Sequence, residues 1–249
     1  MNIRFRTILL AGVGSLPVVF GSAIAQEEDA TYRPQMEEVI VTVNKREENL
    51  QEVAASVTAF TQDDLDLRGD TGLASIQEMT PNLNFSIQSA GQNVARVTLR
   101  GVGTETLVGG GDPGVALHID SVYVGRNSAA AGDIFDVASV EVLRGPQGTL
   151  YGRNATGGSI NIRTQKPVFE KTGFADFSYG NYSAVRARGV LNVPLSEGMA
   201  ARFTGFSNSH DGYLKNLHET GRDNMDKNTS GGRFQLLWEP SEDTELLLR

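Results

Sequence analysis

His118 and Asp120 sit two residues apart in the apolar run Val115–Tyr123, a spacing that puts two metal-ligand side chains on one face of a strand. His210 and His218 fall far away in a polar stretch and no third ligand clusters with the pair, so a hydrogen-bonded histidine is expected and no metal site. Cysteine is absent, which removes thiolate zinc sites, cysteine nucleophiles and disulfides. Gly101-Val102-Gly103 lacks the third glycine of a dinucleotide loop, and no glycine-rich loop runs into Lys-Ser or Lys-Thr, so neither nucleotide nor other cofactor is expected. No local motif pairs a nucleophile with a base, or two carboxylates across a cleft, so an exported hydrolase has no signature and no enzyme is expected. The sequons opened by Asn154, Asn181 and Asn228 read as chance.

A different chemistry is offered by Val39-Ile40-Val41-Thr42-Val43, five successive β-branched residues between an acidic tail (Gln26 to Glu38) and a charged stretch (Asn44 to Glu52). Such a run favours an extended strand. Beside a flexible tail it can add itself by main-chain hydrogen bonds to the sheet edge of a partner; the alternative is an ordinary first strand of the next domain.

The elements around these residues follow from patterning. Met1 to Ala25 reads as a secretory signal: Arg4 and Arg6, an apolar stretch from Ile8 to Phe20 broken by Gly12, Gly14 and Pro17, then Ala23-Ile24-Ala25 as a cleavage pattern. That stretch is too short for a spanning helix, and no other run in the chain could be one. The formal charge is −8, and loss of Arg4 and Arg6 takes 22 basic residues to 20 against 30 acidic. No basic cluster is present, so a nucleic-acid partner is not expected. The 28 glycines lean towards a β-rich chain with many turns.

From residue 51 to 166 short strands mix with short helices. Thr61-Gln62-Asp63-Asp64 resembles a capping box opening a helix that ends near Gly69, and a second helix fits Leu73 to Met79, stopped by Thr80-Pro81. Alternation marks strands at 55–60, 83–87, 96–100, 115–119, 122–124, 140–143 and 159–164. The expectation is a small α+β domain with a mixed sheet, whose loops are too rich in glycine for a tight hydrophobic core.

Leu143-Arg144-Gly145-Pro146-Gln147-Gly148-Thr149-Leu150-Tyr151-Gly152, followed by Asn154-Ala155-Thr156-Gly157-Gly158-Ser159-Ile160-Asn161-Ile162, resembles the signature that ends the plug of TonB-dependent outer-membrane receptors. Leu99-Arg100-Gly101 and Val115 to Tyr123 resemble the same family in the right order, and Glu38-Val39-Ile40-Val41-Thr42-Val43 resembles its TonB box. The resemblance implies residues 1–25 as signal peptide, 26–50 as a periplasmic tail with the box at 38–43, 51–166 as the plug, and 167–249 as the first strands of a transmembrane β-barrel. It implies that Glu38 to Val43 bind TonB, which draws on an inner-membrane energising complex, and that Arg100 and Arg144 face glutamates of the barrel wall; as strand-end charges they could instead be merely solvated. The signature glycines Gly145, Gly148, Gly152, Gly157 and Gly158, with Pro146 and Tyr151, would shape the plug. The implied substrate is a small molecule, by default a ferric siderophore, with vitamin B12, other metal chelates or an oligosaccharide as alternatives; a surface adhesin or barrel without transport is a rival.

Outer-membrane strands need about 9 to 11 residues with apolar side chains outward. Val185 to Leu195 puts Val185, Ala187, Gly189, Leu191, Val193 and Leu195 on one face and Arg186, Arg188 and Asn192 on the other. Strands are expected also at 173–179, joined to it by Gly180-Asn181, and at 200–207 and 232–239, with an opening fifth at 245–249. Short turns at 195–198 and 240–243 and a long polar excursion over 208–231 alternate as in this barrel class, although patterning alone would equally suit a soluble sandwich. Five strands cannot close a barrel of about 22. The chain is therefore expected to be a fragment or a truncated reading frame, and the short tail leaves no room for an extra N-terminal signalling domain.

Overall fold

The computed structural model describes residues 40–41, 48–49, 53, 55–68, 72–88, 94–103, 112–125, 133–217 and 223–249. The expected leader and acidic tail, and Glu38, Val39, Thr42 and Val43 of the box, lie outside them.

The first layer opens with β1 (Ile40–Val41) paired antiparallel to β2 (Glu48–Asn49), Ile40 opposite Asn49 and Val41 opposite Glu48. After β3 (Val57–Phe60), α1 (Gln62–Arg68) starts on a reciprocal cap: the Thr61 N–H and hydroxyl donate to Asp64 Oδ2 at 2.9 Å each, and the Asp64 N–H donates to Thr61 Oγ1 at 3.3 Å. α2 (Leu73–Gln77) follows and stops before Pro81, as the sequence predicts. β4 (Leu83–Gln88), β5 (Val94–Leu99) and β6 (Val102–Gly103) form a three-stranded antiparallel sheet. β7 (Val115–Ile119), β8 (Val122–Tyr123), β9 (Val137–Arg144) and β10 (Gly158–Thr164) join β3 in a mixed five-stranded sheet of order β3-β9-β10-β7-β8, with β10 parallel to β7 and antiparallel to β9. Between β9 and β10 lies a short helix, α3 (Gly148–Tyr151), within the glycine-rich signature.

Strand alternation gives this sheet two unlike faces. Phe60, Val115, Leu117, Val140, Val142, Ile160 and Ile162 point to one side and are buried with Leu65 of α1, Leu73 and Ile76 of α2, and Leu83, Phe85 and Leu99 of the small sheet. The expectation of no tight core is thus wrong. The strands and helices carry apolar side chains, each contributing about 1.5–3 kcal/mol on full burial. Gly158 is one glycine the packing requires: its φ is +152° and a Cβ there would lie 2.2 Å from the Leu143 carbonyl oxygen.

The second layer is a five-stranded antiparallel meander, β11 (Thr172–Gly180), β12 (Ala184–Ser196), β13 (Met199–His210), β14 (Lys227–Ser241) and β15 (Thr244–Leu248). Differences from expectation are local. The first hairpin turns on Tyr182 and Ser183, both with positive φ, while Gly180 stays paired with Ala184; and β13 and β14 extend through His210 and from Lys227, shortening the long excursion. At 13 and 15 residues β12 and β14 exceed the 9 to 11 needed to cross the hydrocarbon layer. Phe177, Tyr179, Leu191, Leu195, Phe203, Phe234, Trp238, Leu246 and Leu248 stand exposed on the outer face, whereas the inner face lies against the first layer. A soluble sandwich would bury that apolar face; a lipid-facing wall would not. Among the described residues no helix is long and apolar enough to cross a membrane, which says nothing of a barrel.

Candidate functional site

The seam between the two layers is built on the segment between β8 and β9, Asp133-Ile134-Phe135-Asp136, three of whose side chains meet the meander while one turns back into the plug. Ile134 drops into the first-layer core. Phe135 meets the meander instead, edge-on to Phe174 with centroids 5.7 Å apart and with the Arg188 guanidinium 4.9 Å from its ring centre. Asp136, at φ 58°, accepts from Arg202 Nε at 2.9 Å, from a second Arg202 nitrogen, from Thr204 Oγ1 at 2.6 Å and from Arg233 at 3.0 Å. The same Arg233 nitrogen also donates to the Asp136 carbonyl at 2.8 Å. Asp133 accepts from Lys227 Nζ at 2.6 Å, Thr229 Oγ1 at 2.7 Å and Asn208 at 3.4 Å.

Asp136 is only 3% exposed. Burial pushes its carboxyl upward, but the hydrogen bonds from Arg202 and Thr204 and the charges of Arg202 and Arg233 outweigh it and hold the group below the ordinary 3.8. An ionised carboxylate matched to two inward-pointing arginines is what lets so much charge leave water.

Further contacts extend the seam. Arg188 bridges Asp66 of α1 (2.8 Å) and Asp176 of β11 (3.3 Å); Gln235 donates to Thr164 Oγ1 at 2.9 Å; Arg249 reaches Asp120 at 2.8 Å. Lys166 and Glu245 pair at 2.7 Å on the surface. Asn192, fully buried, donates to the Val168 and Glu170 carbonyls at 2.6 Å each and accepts from the Val168 N–H at 3.0 Å, clamping the connection from β10 to β11.

Sequence reasoning placed the seam elsewhere. Arg100 donates to Ser56 Oγ at 3.3 Å and the Arg144 main chain donates to the Ser56 carbonyl, so among the described residues both stay within the first layer and neither meets β11 to β15. The buried charges run the other way here, with Asp133 and Asp136 on the first layer and two arginines and a lysine on the meander, while the exposed Lys166–Glu245 pair keeps the expected direction. Asp133 and Asp136 were missed. The available signal was that Arg188, like Arg202 and Arg233, points inward on a strand and must find an acid. The signature residues do gather: Gly145 N–H donates to the Gly157 carbonyl, Gln147 N–H to Ala155 and Gly157 N–H to Gly114, closing a compact loop in which Gly145 and Gly152 have positive φ and Gly148 and Tyr151 bound α3, after Pro146. Of the box residues described, Val41 is fully buried, packed with Leu143 among Val53, Val57, Ala59 and Tyr151. His118 lies against Ser159, Tyr123 and Tyr151. No group of three metal ligands forms among the described residues.

A mixed-sheet domain docked through buried ion pairs onto the polar inner face of an up-and-down meander with an apolar outer face defines the plugged-barrel class of outer-membrane proteins. Residues 49–159 match the TonB-dependent Receptor Plug Domain family. The chain is similar to the pesticin receptor of Yersinia pestis, 30% identical over 79% of this chain and 28% of that protein, and to the vitamin B12 transporter BtuB of Vibrio vulnificus, 28% identical over 72% of this chain and 28% of that one. Among solved structures it superimposes on the ferric yersiniabactin uptake receptor FyuA from Yersinia pestis with a TM-score of 0.68, at 30% identity, covering 76% of this chain and 29% of FyuA. The chain belongs to the TonB-dependent receptors of the outer membrane and comprises a plug and the first strands of a barrel. It spans between a quarter and a third of the length of these relatives, which are receptors and transporters rather than enzymes.

Proposed function

We propose that this chain acts, within a complete receptor, in TonB-dependent uptake across the outer membrane, and that its substrate is a ferric siderophore. The observation that carries the reading is a plug held on the inner wall by a buried ionic seam, while Ile40–Val41 of the box-like segment lies on the plug as a two-residue strand. A seam of that kind shuts the lumen at rest, and a short, separable strand is what a partner could take by main-chain pairing. The partner is TonB with its inner-membrane energising complex, binding Glu38 to Val43, and lipid is the partner of the outer face. Arg100 and Arg144 are kept as plug contacts to parts of the wall other than β11 to β15. The iron substrate is supported by the similarity to the ferric yersiniabactin uptake receptor, and the match to a vitamin B12 transporter supports a non-iron chelate as the second reading.

Ile40→Pro in the full-length receptor removes a main-chain donor from the box. Loss of substrate uptake at unchanged outer-membrane abundance is expected; unchanged uptake would refute the TonB assignment. Abundance in iron-starved against iron-replete cells tests the substrate, a strong rise favouring the ferric chelate and no change favouring the non-iron reading.

A further inference from the structure

The second face of the plug sheet is mixed: beside the apolar Val57, Ala59, Ala116 and Leu143 it carries a polar row, Ser139 and Glu141 on β9, Ser159 and Asn161 on β10, and His118 on β7, every one of the five buried. Ser159 Oγ donates to Asn161 Oδ1 at 2.7 Å and lies 3.3 Å from His118 Nδ1, and Ser139 Oγ donates to Glu141 Oε1 at 3.2 Å. A sheet face that only had to pack would not bury such a row, because each polar group must be matched to avoid a penalty.

Beside the row lies a cavity of about 490 Å³ lined by His118, Tyr123, Glu141, Tyr151, Asn161 and Arg163, with Arg249 at the end of β15 forming part of its wall. All of its lining but Arg249 belongs to the plug. Two phenol rings flank it. Tyr123 is held by Asn154 Nδ2 at 2.7 Å, and its ring lies 5.6 Å from that of His118. Tyr151 stands 5.3 Å from His118, is hydrogen-bonded to Asn161 and is pushed up to about 12 by burial and the Glu141 charge, so it stays a neutral phenol at ordinary pH. Its ring has a second neighbour, the fully buried pair of Val41 and Leu143. Tyr151 therefore joins the box-like strand to the polar row.

We propose that this cavity is the closed plug-side wall of the path taken by a hydrophilic solute, that Tyr151 is its lid, and that Val41 is the catch holding the lid. The proposal rests on the transport reading. Drawing β1 away removes Val41 from Leu143 and strips the Tyr151 ring of one packed flank. A tyrosine then free to swing out uncovers serine, asparagine, glutamate and histidine groups suited to carrying water and a polar solute, while the apolar face of the sheet stays shut.

The test is thiol accessibility in the full-length receptor in outer membranes, with Asn161→Cys and, separately, Ser159→Cys as reporters, in a background free of other cysteines and probed with a small charged maleimide. Labelling is expected to be slow at rest and to rise with energised TonB. Val41→Asp is expected to raise it about tenfold or more without TonB, since burial of one valine side chain shifts an equilibrium by at least about that factor. Val41→Ile and Tyr151→Phe, which keep the apolar contact and the ring, should label at the resting rate, separating catch release from misfolding. Equal labelling of Val41→Asp and the parent overturns the catch, whatever the uptake assay gives. A rise with Val41→Asp but none with TonB upholds the catch and overturns the transport reading.

Discussion

The plug sheet and the barrel meander each have five strands, and they solve opposite problems. The meander sorts its side chains by solvent: Phe177, Leu191, Phe203 and Phe234 outward, Arg188, Arg202 and Arg233 inward. The plug sheet is largely covered on both sides and sorts instead by partner: the hydrocarbon of the helices and the small sheet on one side, and on the other a polar row beside the apolar patch of Val57, Ala59 and Leu143. Alternation of side chains therefore reports a difference between two environments and does not say which environments they are.

The sharpest way to break the comparison is at the point where the two sheets meet. Asp136→Ala leaves Arg202 and Arg233 buried without their acid, and about 3 kcal/mol of plug docking should be lost, near the low end for a broken buried pair because Arg233 keeps a quarter of its side chain exposed. Calorimetry of the purified full-length receptor should show the plug transition falling; a change below about 1 kcal/mol would mean that the seam is not what holds the plug. Leu191→Arg on the outer face should cost about 2–4 kcal/mol in lipid, measured by urea unfolding in bilayers, and a neutral result would reverse the assignment of faces.

Acid provides a gentler test. The Asp136 carboxyl is held below its ordinary value, so its contribution is complete above the unfolded pKa of 3.8 and is lost as pH falls from there through the lower folded pKa. Limited proteolysis should find the plug loosening only below about pH 4, and Asp136→Asn should abolish that component. The smallest effect is expected from Lys166→Ala. Both partners of its ion pair with Glu245 are nearly half exposed, so the stability change should stay under about 1 kcal/mol and shrink with salt.

The two regions also differed in how far they could be read from residue order. The barrel strands were legible because lipid and lumen impose a period of two that Val185 to Leu195 displays without any partner. Helices α1 and α2 were legible from Thr61, Asp64 and Pro81, whose effects act within a few residues. The seam was not, because Asp133 and Asp136 meet residues about 70 to 100 positions later in the chain, and nothing local in Asp-Ile-Phe-Asp announces a contact made across that distance. Arg100 and Arg144 were singled out by family pattern alone, and the described contacts keep both beside Ser56.

The clamp on the connection between β10 and β11 bears on how the plug responds to tension. Asn192 fixes the Val168–Glu170 main chain to the wall, so the central strand β10 is moored at its far end, while β3, the first long strand after the box-like segment, lies at the free margin of the sheet. A pull applied ahead of β1 would reach β1 and then the edge strand β3 before it reached the moored β10. Release of β1 would thus leave β3 and the moored centre of the sheet in place, as the template to which the released strand returns.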